Sequence, residues 1–153
     1  MIFPLQAIFK KNCYICTAKN RDKNKALNKM KVLICDDDAM TVRALEFQLK
    51  REGFEILKAN NGKEGQMILA ENSDIDVLVT DLYMPLKNGM ELITYVRESL
   101  HNKIPIIVLS KANIEENISH ALELGADGYL VKPFKIEELI NKIKLLMNHE
   151  SGD

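Results

Sequence analysis

Four apolar runs of this sequence end in residues able to do chemistry. Val32–Cys35 leads into Asp36-Asp37-Asp38, and the run from Val77 closes on Thr80-Asp81. Ile104–Leu109 is followed by Ser110-Lys111, and Tyr129–Val131 by Lys132-Pro133. Carboxylates crowded within several ångströms repel, so one is protonated or a cation sits among them. Hard oxygen donors with waters to spare suit Mg2+, which is commonly held by one or two carboxylates plus phosphate oxygens. A lysine there neutralises a carboxylate and then an incoming phosphate, and a serine hydroxyl donates to a phosphate oxygen. The set suits a ligand with phosphate-like charge, leaving Asp81 free as nucleophile. Plainer uses exist for each: Asp36–Asp38 and Ser110 as helix caps, Lys132 as a surface charge. Chemistry is favoured by their joint occurrence at four strand ends of one sheet.

That placement requires elements in a particular order. From residue 32 the chain repeats one pattern five times: a short apolar run, a polar or glycine break, then a helical periodicity. The runs are Val32–Cys35, Phe54–Leu57, Val77–Thr80, Ile104–Leu109 and Tyr129–Val131. Four are nearly continuous in branched residues, as strands covered on both faces should be. Phe54–Leu57, flanked by Glu52, Glu55 and Lys58, reads as an edge strand. Helical stripes follow: Val42, Leu45 and Leu49 over 39–51, widened by Ala44 and Phe47; Met90, Ile93, Val96 and Leu100 over 89–100; and Ile136, Leu139, Ile140, Ile143, Leu146 and Met147 in the last helix. Weaker helices cover 62–71 and 113–123. Asn60-Asn61-Gly62 and Asn88-Gly89 supply turns, and Gly125 stands where the fourth helix should stop. Five β-α units with helical crossovers predict a doubly wound α/β domain: a parallel sheet with helices on both faces. In such sheets functional groups gather beyond the carboxyl ends of the strands, where the four clusters fall.

Charge and composition exclude several classes. The chain has 153 residues, 46% hydrophobic and 28% charged, which is ordinary for a globular domain and too apolar for disorder. No apolar run reaches the roughly 18–20 residues that span a bilayer. Three irregularly spaced cysteines make no disulfide scaffold and fit a reducing, cytoplasmic compartment. The formal net charge of −1 hides an asymmetry: residues 1–30 hold seven basic residues and one acid, net +6, whereas 31–153 hold 14 basic and 21 acidic, net −7. An acidic body argues against direct DNA binding. Residues 1–30 read as a flexible basic extension, with a natural start at Met30 the simplest explanation; a basic docking arm is the alternative. Cys13-Tyr14-Ile15-Cys16 lies within it, and the remaining Cys and His residues are too scattered to complete a zinc site.

The stretches VLICDDD (32–38), VLVTDLYMPLKNGMEL (77–92), PIIVLSKA (105–112) and GADGYLVKPF (125–134) resemble the response-regulator receiver domains of two-component signalling. The resemblance covers about 31–149, with 150–153 as a tail, and it implies a five-stranded flavodoxin-like sheet of order 2-1-3-4-5. It implies that Asp81 is the phosphoacceptor, that Asp37 ligates Mg2+ directly and Asp36 mainly through water, and that the backbone carbonyl of Tyr83 completes the metal site. Ser110 matches the hydroxyl that moves to the phosphoryl group, Lys132 the lysine that pairs with a phosphoryl oxygen, and Tyr129 the aromatic switch. Tyr129 also reads as a plain core aromatic. The bond before Pro133 is expected to be cis.

By the same resemblance the phosphodonor is a sensor histidine kinase or histidine phosphotransferase. The chain would catalyse its own phosphorylation and dephosphorylation while acting mainly as a switch. The output surface would be the fourth helix, fifth strand and fifth helix, read by a protein target and open to homodimerisation. With only His149–Asp153 after the last helix, a stand-alone receiver is expected. Two positions depart from the commonest pattern: Lys111, where a small residue is usual, and Tyr83, which is bulkier than the usual polar residue. Two other readings compete. In an aspartate-nucleophile phosphatase of the haloacid-dehalogenase type Asp36 would attack, which leaves Asp81 unexplained; a receiver-like interaction module independent of phosphorylation would not need the complete acidic set.

Overall fold

The computed structural model describes residues 29–111 and 115–149. The expectations for the basic extension up to residue 28, for Cys13 and Cys16, and for the tail from residue 150 lie outside them. The chain divides between Met30 and Lys31, and the fold below is that of the second unit, Lys31–Asp153.

Among the described residues five strands and five α-helices alternate: β1 Lys31–Cys35, α1 Ala39–Arg51, β2 Glu55–Ala59, α2 Gly62–Glu71, β3 Val77–Asp81, α3 Gly89–Thr94, β4 Ile106–Ser110, α4 Glu115–Leu124, β5 Gly128–Val131 and α5 Ile136–His149. All pairings are parallel and the sheet order is β2-β1-β3-β4-β5, as expected. The inner strands β3 and β4 are buried at every position, whereas β2 mixes exposed and buried positions and lies at an edge. One face of the sheet, with Leu33, Cys35, Leu78, Ile106 and Val108, packs on Leu69, Leu92, Ile93, Val96 and Ala121 of the helical layer. On burial arithmetic each such aliphatic side chain contributes about 1.5–3 kcal/mol.

Two stripes differ from their periodicity. Ala44 and Phe47 are exposed rather than part of the α1 core stripe, which narrows to Val42, Leu45 and Leu49. Phe47 stays in solvent with the Arg51 guanidinium 5.8 Å from its ring centroid. The helix expected over 89–100 is α-helical only to Thr94 and continues as a π-helical turn, Tyr95–Ser99. That wider turn sets Arg97 to bond the carbonyls of Gly125 (3.0 and 2.8 Å) and Asn102 (2.7 Å) and the carboxylate of Asp127 (2.9 Å). A local i to i+4 ladder has given way to a tertiary anchor.

Helix starts are written locally. Asn61 Oδ1 accepts from the N–H of Glu64, and Asn88 and Glu91 form a reciprocal capping box at α3. Gly89 lies so close to β3 that a Cβ there would stand 2.3 Å from the Asp81 carbonyl oxygen, so only glycine lets α3 start this near the strand end.

Candidate functional site

The three inner strands and β5 end at one rim, locked by backbone bonds. The N–H of Asp36 donates to the carbonyl of Ala59, that of Leu82 to Leu109, and that of Lys132 to Ser110, at 3.1, 3.2 and 2.7 Å. Parallel register sets Asp81 opposite Leu109 and Ser110 opposite Val131, so the Ser110 hydroxyl stands one residue beyond the level of Asp81 on the neighbouring strand. The peptide bond between Lys132 and Pro133 is cis.

Side chains from three of these ends meet. Lys132 Nζ donates to Asp36 Oδ2 at 2.6 Å and to Asp81 Oδ2 at 3.3 Å. Asp36, Asp81, Thr80 and Ser110 are buried, at 0–2% exposure, while Asp37 is open to solvent. The second oxygen of Asp81 accepts from the N–H of Tyr83 at 3.3 Å, and the other Asp36 oxygen accepts from the N–H of Asp38 at 2.9 Å. Burial works against the Lys132 ammonium, but its hydrogen bond to Asp36 and the charges of Asp81 and Asp36 outweigh it. Its pKa is held above the ordinary lysine value.

The aspartate run divides its labour. Asp38 is the N-cap of α1, accepting from the N–H of Met40 at 3.1 Å and the hydroxyl of Thr41 at 2.6 Å. The Thr41 hydroxyl and the Met40 N–H hold its carboxyl below the usual range, and the Lys111 charge adds to them. Among the three aspartates, the plain cap reading holds for Asp38. One oxygen each from Asp36, Asp37 and Asp81 lie within 4.8 Å of one another, the acidic cluster found among the described residues. Three formal negative charges face one ammonium. That imbalance, with hard oxygen donors partly open to water, fits a divalent cation such as Mg2+.

Tyr129 and Tyr83 both lie on the surface. The plain core reading of Tyr129 does not hold: the residue is 39% exposed, with Lys142 Nζ 5.9 Å from its ring centroid. Tyr83 is 55% exposed, and its hydroxyl accepts from Asn117 Nδ2 of α4. That bond, the Thr80 hydroxyl donating to the Asp81 carbonyl at 2.9 Å, and the fit of Gly89 were not anticipated. The Asn-Gly pair at 88–89 was a signal for a turn, and it carried no indication of which strand the turn would touch.

Residues 32–144 match the family model of the response regulator receiver domain. Among curated proteins, the transcriptional regulatory protein PrrA of Mycobacterium tuberculosis is 37% identical over 123 residues, covering 80% of this chain and 52% of its own. SrrA of Staphylococcus aureus is 39% identical over 116 residues, covering 76% and 47%. The chain thus spans about half the length of these relatives. The receiver domain of Francisella response regulator 1452 superposes with a TM-score of 0.74 at 33% identity, covering 80% of this chain and 99% of that one. The chemotaxis protein CheY4 of Vibrio cholerae superposes at 0.73 and 29% identity, covering 78% and 99%.

Proposed function

Because this chain belongs to the response regulator receiver family, we propose that Asp81 accepts a phosphoryl group from a phosphohistidine on a sensor histidine kinase or histidine phosphotransferase. The observation that carries this reading is the shared lysine: one ammonium bridges the buried carboxylates of Asp36 and Asp81, the latter at the end of the central strand β3. A carboxylate oxygen of Asp81 attacks phosphorus, the N–P bond breaks, and its electron pair returns to the imidazole. The product on the chain is an acyl phosphate.

Lys132 steadies both carboxylates beforehand and exchanges its Asp81 contact for a phosphoryl oxygen as charge moves outward. Ser110, buried one strand away, supplies a hydroxyl to another phosphoryl oxygen. Asp36, Asp37, Asp81 and the carbonyl of Tyr83 would hold Mg2+, which supplies positive charge against the transferring group. Catalysis is positioning and neutralisation by fixed groups. The output is a population shift over α4, β5 and α5, where Tyr129 is already at the surface for a protein partner to read or for a second copy to pack on. A cytoplasmic location fits this chemistry, and among the described residues no helix is long and apolar enough to cross a membrane. The family match supports the receiver reading over the haloacid-dehalogenase-like alternative, in which Asp36 would attack and Asp81 would have no role.

The test is phosphotransfer profiling against the host's kinases and phosphotransferases, with Asp81→Asn as the blank. Mg2+-dependent label on the wild type and none on Asp81→Asn is expected. Equal label on both, or no transfer from any donor, would overturn the assignment.

A further inference from the structure

We propose that Gly62 is a positioning residue of the cation site, seating the loop that carries the Tyr83 carbonyl. The proposal rests on Asp36, Asp37, Asp81 and that carbonyl holding Mg2+. Of the five strands described, β2 alone brings no acid, hydroxyl or ammonium to the rim: it runs into Asn60 and Asn61. Its corner, residues 59–62, grips two arms of the site instead.

One grip is on the β1 arm. The Ala59 carbonyl accepts from the N–H of Asp36 at 3.1 Å, which fixes the backbone just before Asp37. The other is on the β3–α3 loop. A Cβ on Gly62 would stand 2.7 Å from both the carbonyl carbon and the Cβ of Lys87, and closer still to the Lys87 carbonyl oxygen. Gly62 is buried and its φ lies outside the left-handed region, so space rather than backbone freedom demands glycine there.

Neither side of this contact is free to retreat. The loop is a closed ring: the Gly89 N–H donates to the Leu82 carbonyl at 2.9 Å, and the Lys87 N–H to that of Pro85 at 2.9 Å. Its entry is held by the Leu82 N–H on Leu109, and Met84 packs against the core. Tyr83 lies inside the ring with its N–H 3.3 Å from Asp81 Oδ1, so a push at Lys87 is passed along to it. On the helix side, Asn61 Oδ1 accepts from the Glu64 N–H and the Glu64 carboxylate from the Asn60 N–H, both at 2.8 Å. One turn on, a Cβ at Gly65 would lie 2.8 Å from Cys35 Sγ of β1, so α2 already rests on the sheet.

An atom added at Gly62 therefore displaces the loop. Alanine favours a helix over glycine at an open position, and here contact with Lys87 reverses the sign. Mg2+ demands near-ideal octahedral geometry. Carboxylates on rotatable side chains adjust to it, whereas a backbone carbonyl goes where its loop is held.

Calorimetric titration of the full chain with MgCl2 tests this, in wild type, Gly62→Ala, Asn61→Ala, Gly53→Ala and Asp37→Asn. Denaturant titration of each without the ion reads stability separately. Gly62→Ala should raise the Mg2+ Kd about tenfold, the lower end of what losing a supporting contact costs a metal site. Gly53→Ala, strained at the other end of β2, should lose stability with Kd unchanged. Asn61→Ala frees the first turn of α2 without adding an atom and should raise Kd about threefold, a lost cap being milder than a steric displacement. It decides the question if Gly62→Ala does not fold. A wild-type Kd in the deciding variant overturns the proposal. So does an equal rise in Gly53→Ala, which would make the effect a general loss of stability. Both results leave the cation site standing. Wild type that takes up no Mg2+, or Asp37→Asn that takes it up undiminished, overturns the acidic cluster as the cation site, and the role of Gly62 falls with it.

Discussion

Lys132 and Asp36 are 96 residues apart in sequence and 2.6 Å apart in space. Their contact joins β5 to β1 across the rim of the sheet, and it brings an ammonium to within 3.3 Å of Asp81 on the strand between. Both carboxylates are buried, so this ion pair is structural as well as chemical.

Lys132→Met should therefore lose stability as well as phosphotransfer. Leaving a buried carboxylate without its partner costs about 3 kcal/mol. Because the deficit is one of positive charge, millimolar Mg2+ should restore part of the melting temperature in this variant. Thermal melts with and without the ion check it; a variant that melts like wild type in both would separate Lys132 from the charge balance.

Asp37→Asn should act with opposite signs in the two conditions. Without metal it relieves repulsion in the cluster and leaves the melting temperature level or slightly raised, since Asp37 is exposed. With Mg2+ it should forfeit most of the ion's stabilisation, which for a site filled at a hundred times its Kd amounts to about 2.7 kcal/mol. Titrating melting temperature against Mg2+ for both proteins separates these effects.

Gly89→Ala should cost about 3 kcal/mol and lower phosphotransfer, because its Cβ would meet the Asp81 carbonyl oxygen at 2.3 Å and Leu82 Cα at 2.9 Å. Gly53→Ala is the control. Gly53 has φ +94° and nothing within 4 Å of an added Cβ, so backbone strain alone remains, about 1–2 kcal/mol, with transfer unchanged. Denaturant titration and phosphotransfer rates on both variants read the contrast.

Glu46 offers a pH test away from the site. Hydrogen bonds from Lys50 (2.7 Å) and Lys58 (2.8 Å) hold its carboxyl below the usual range. A depressed carboxyl stabilises the fold above its unfolded pKa and loses that contribution as pH falls through the folded value. Glu46→Gln should cost only about 0.5 kcal/mol at neutral pH, because solvent screens these ion pairs. The gap to wild type should close in acid and shrink in high salt, as denaturant midpoints across pH would record.

Cys35 should be inert. It lies fully buried against Gly65, and burial pushes its thiol pKa far up, with the Glu64 and Asp36 charges adding to the effect. Iodoacetamide at neutral pH should leave it unmodified in the folded chain and label it only after denaturation, as peptide mapping will resolve. Labelling in the native state would mean that β1 opens on the timescale of the reaction.

The sequence by itself determined the alternation of strands and helices, their order in the sheet through the family resemblance, and the four strand ends where polar residues gather. Those are local properties. Apolar runs, periodicity and turn residues act between near neighbours, and a parallel sheet then brings strand ends to one rim whatever the rest of the chain does. Tertiary structure alone decided which aspartate faces the pocket and which caps a helix, since adjacent residues of identical type differ only in where the backbone turns. It also decided that Phe47 stays in solvent, because helical spacing marks a face and not what lies opposite it. The π-helical turn at Tyr95–Ser99, the seat of Gly89 on Asp81 and the bond from Tyr83 to Asn117 belong to the same class. Each depends on contacts beyond its own helix or strand, and its energy exists only once packing has brought both partners to one place.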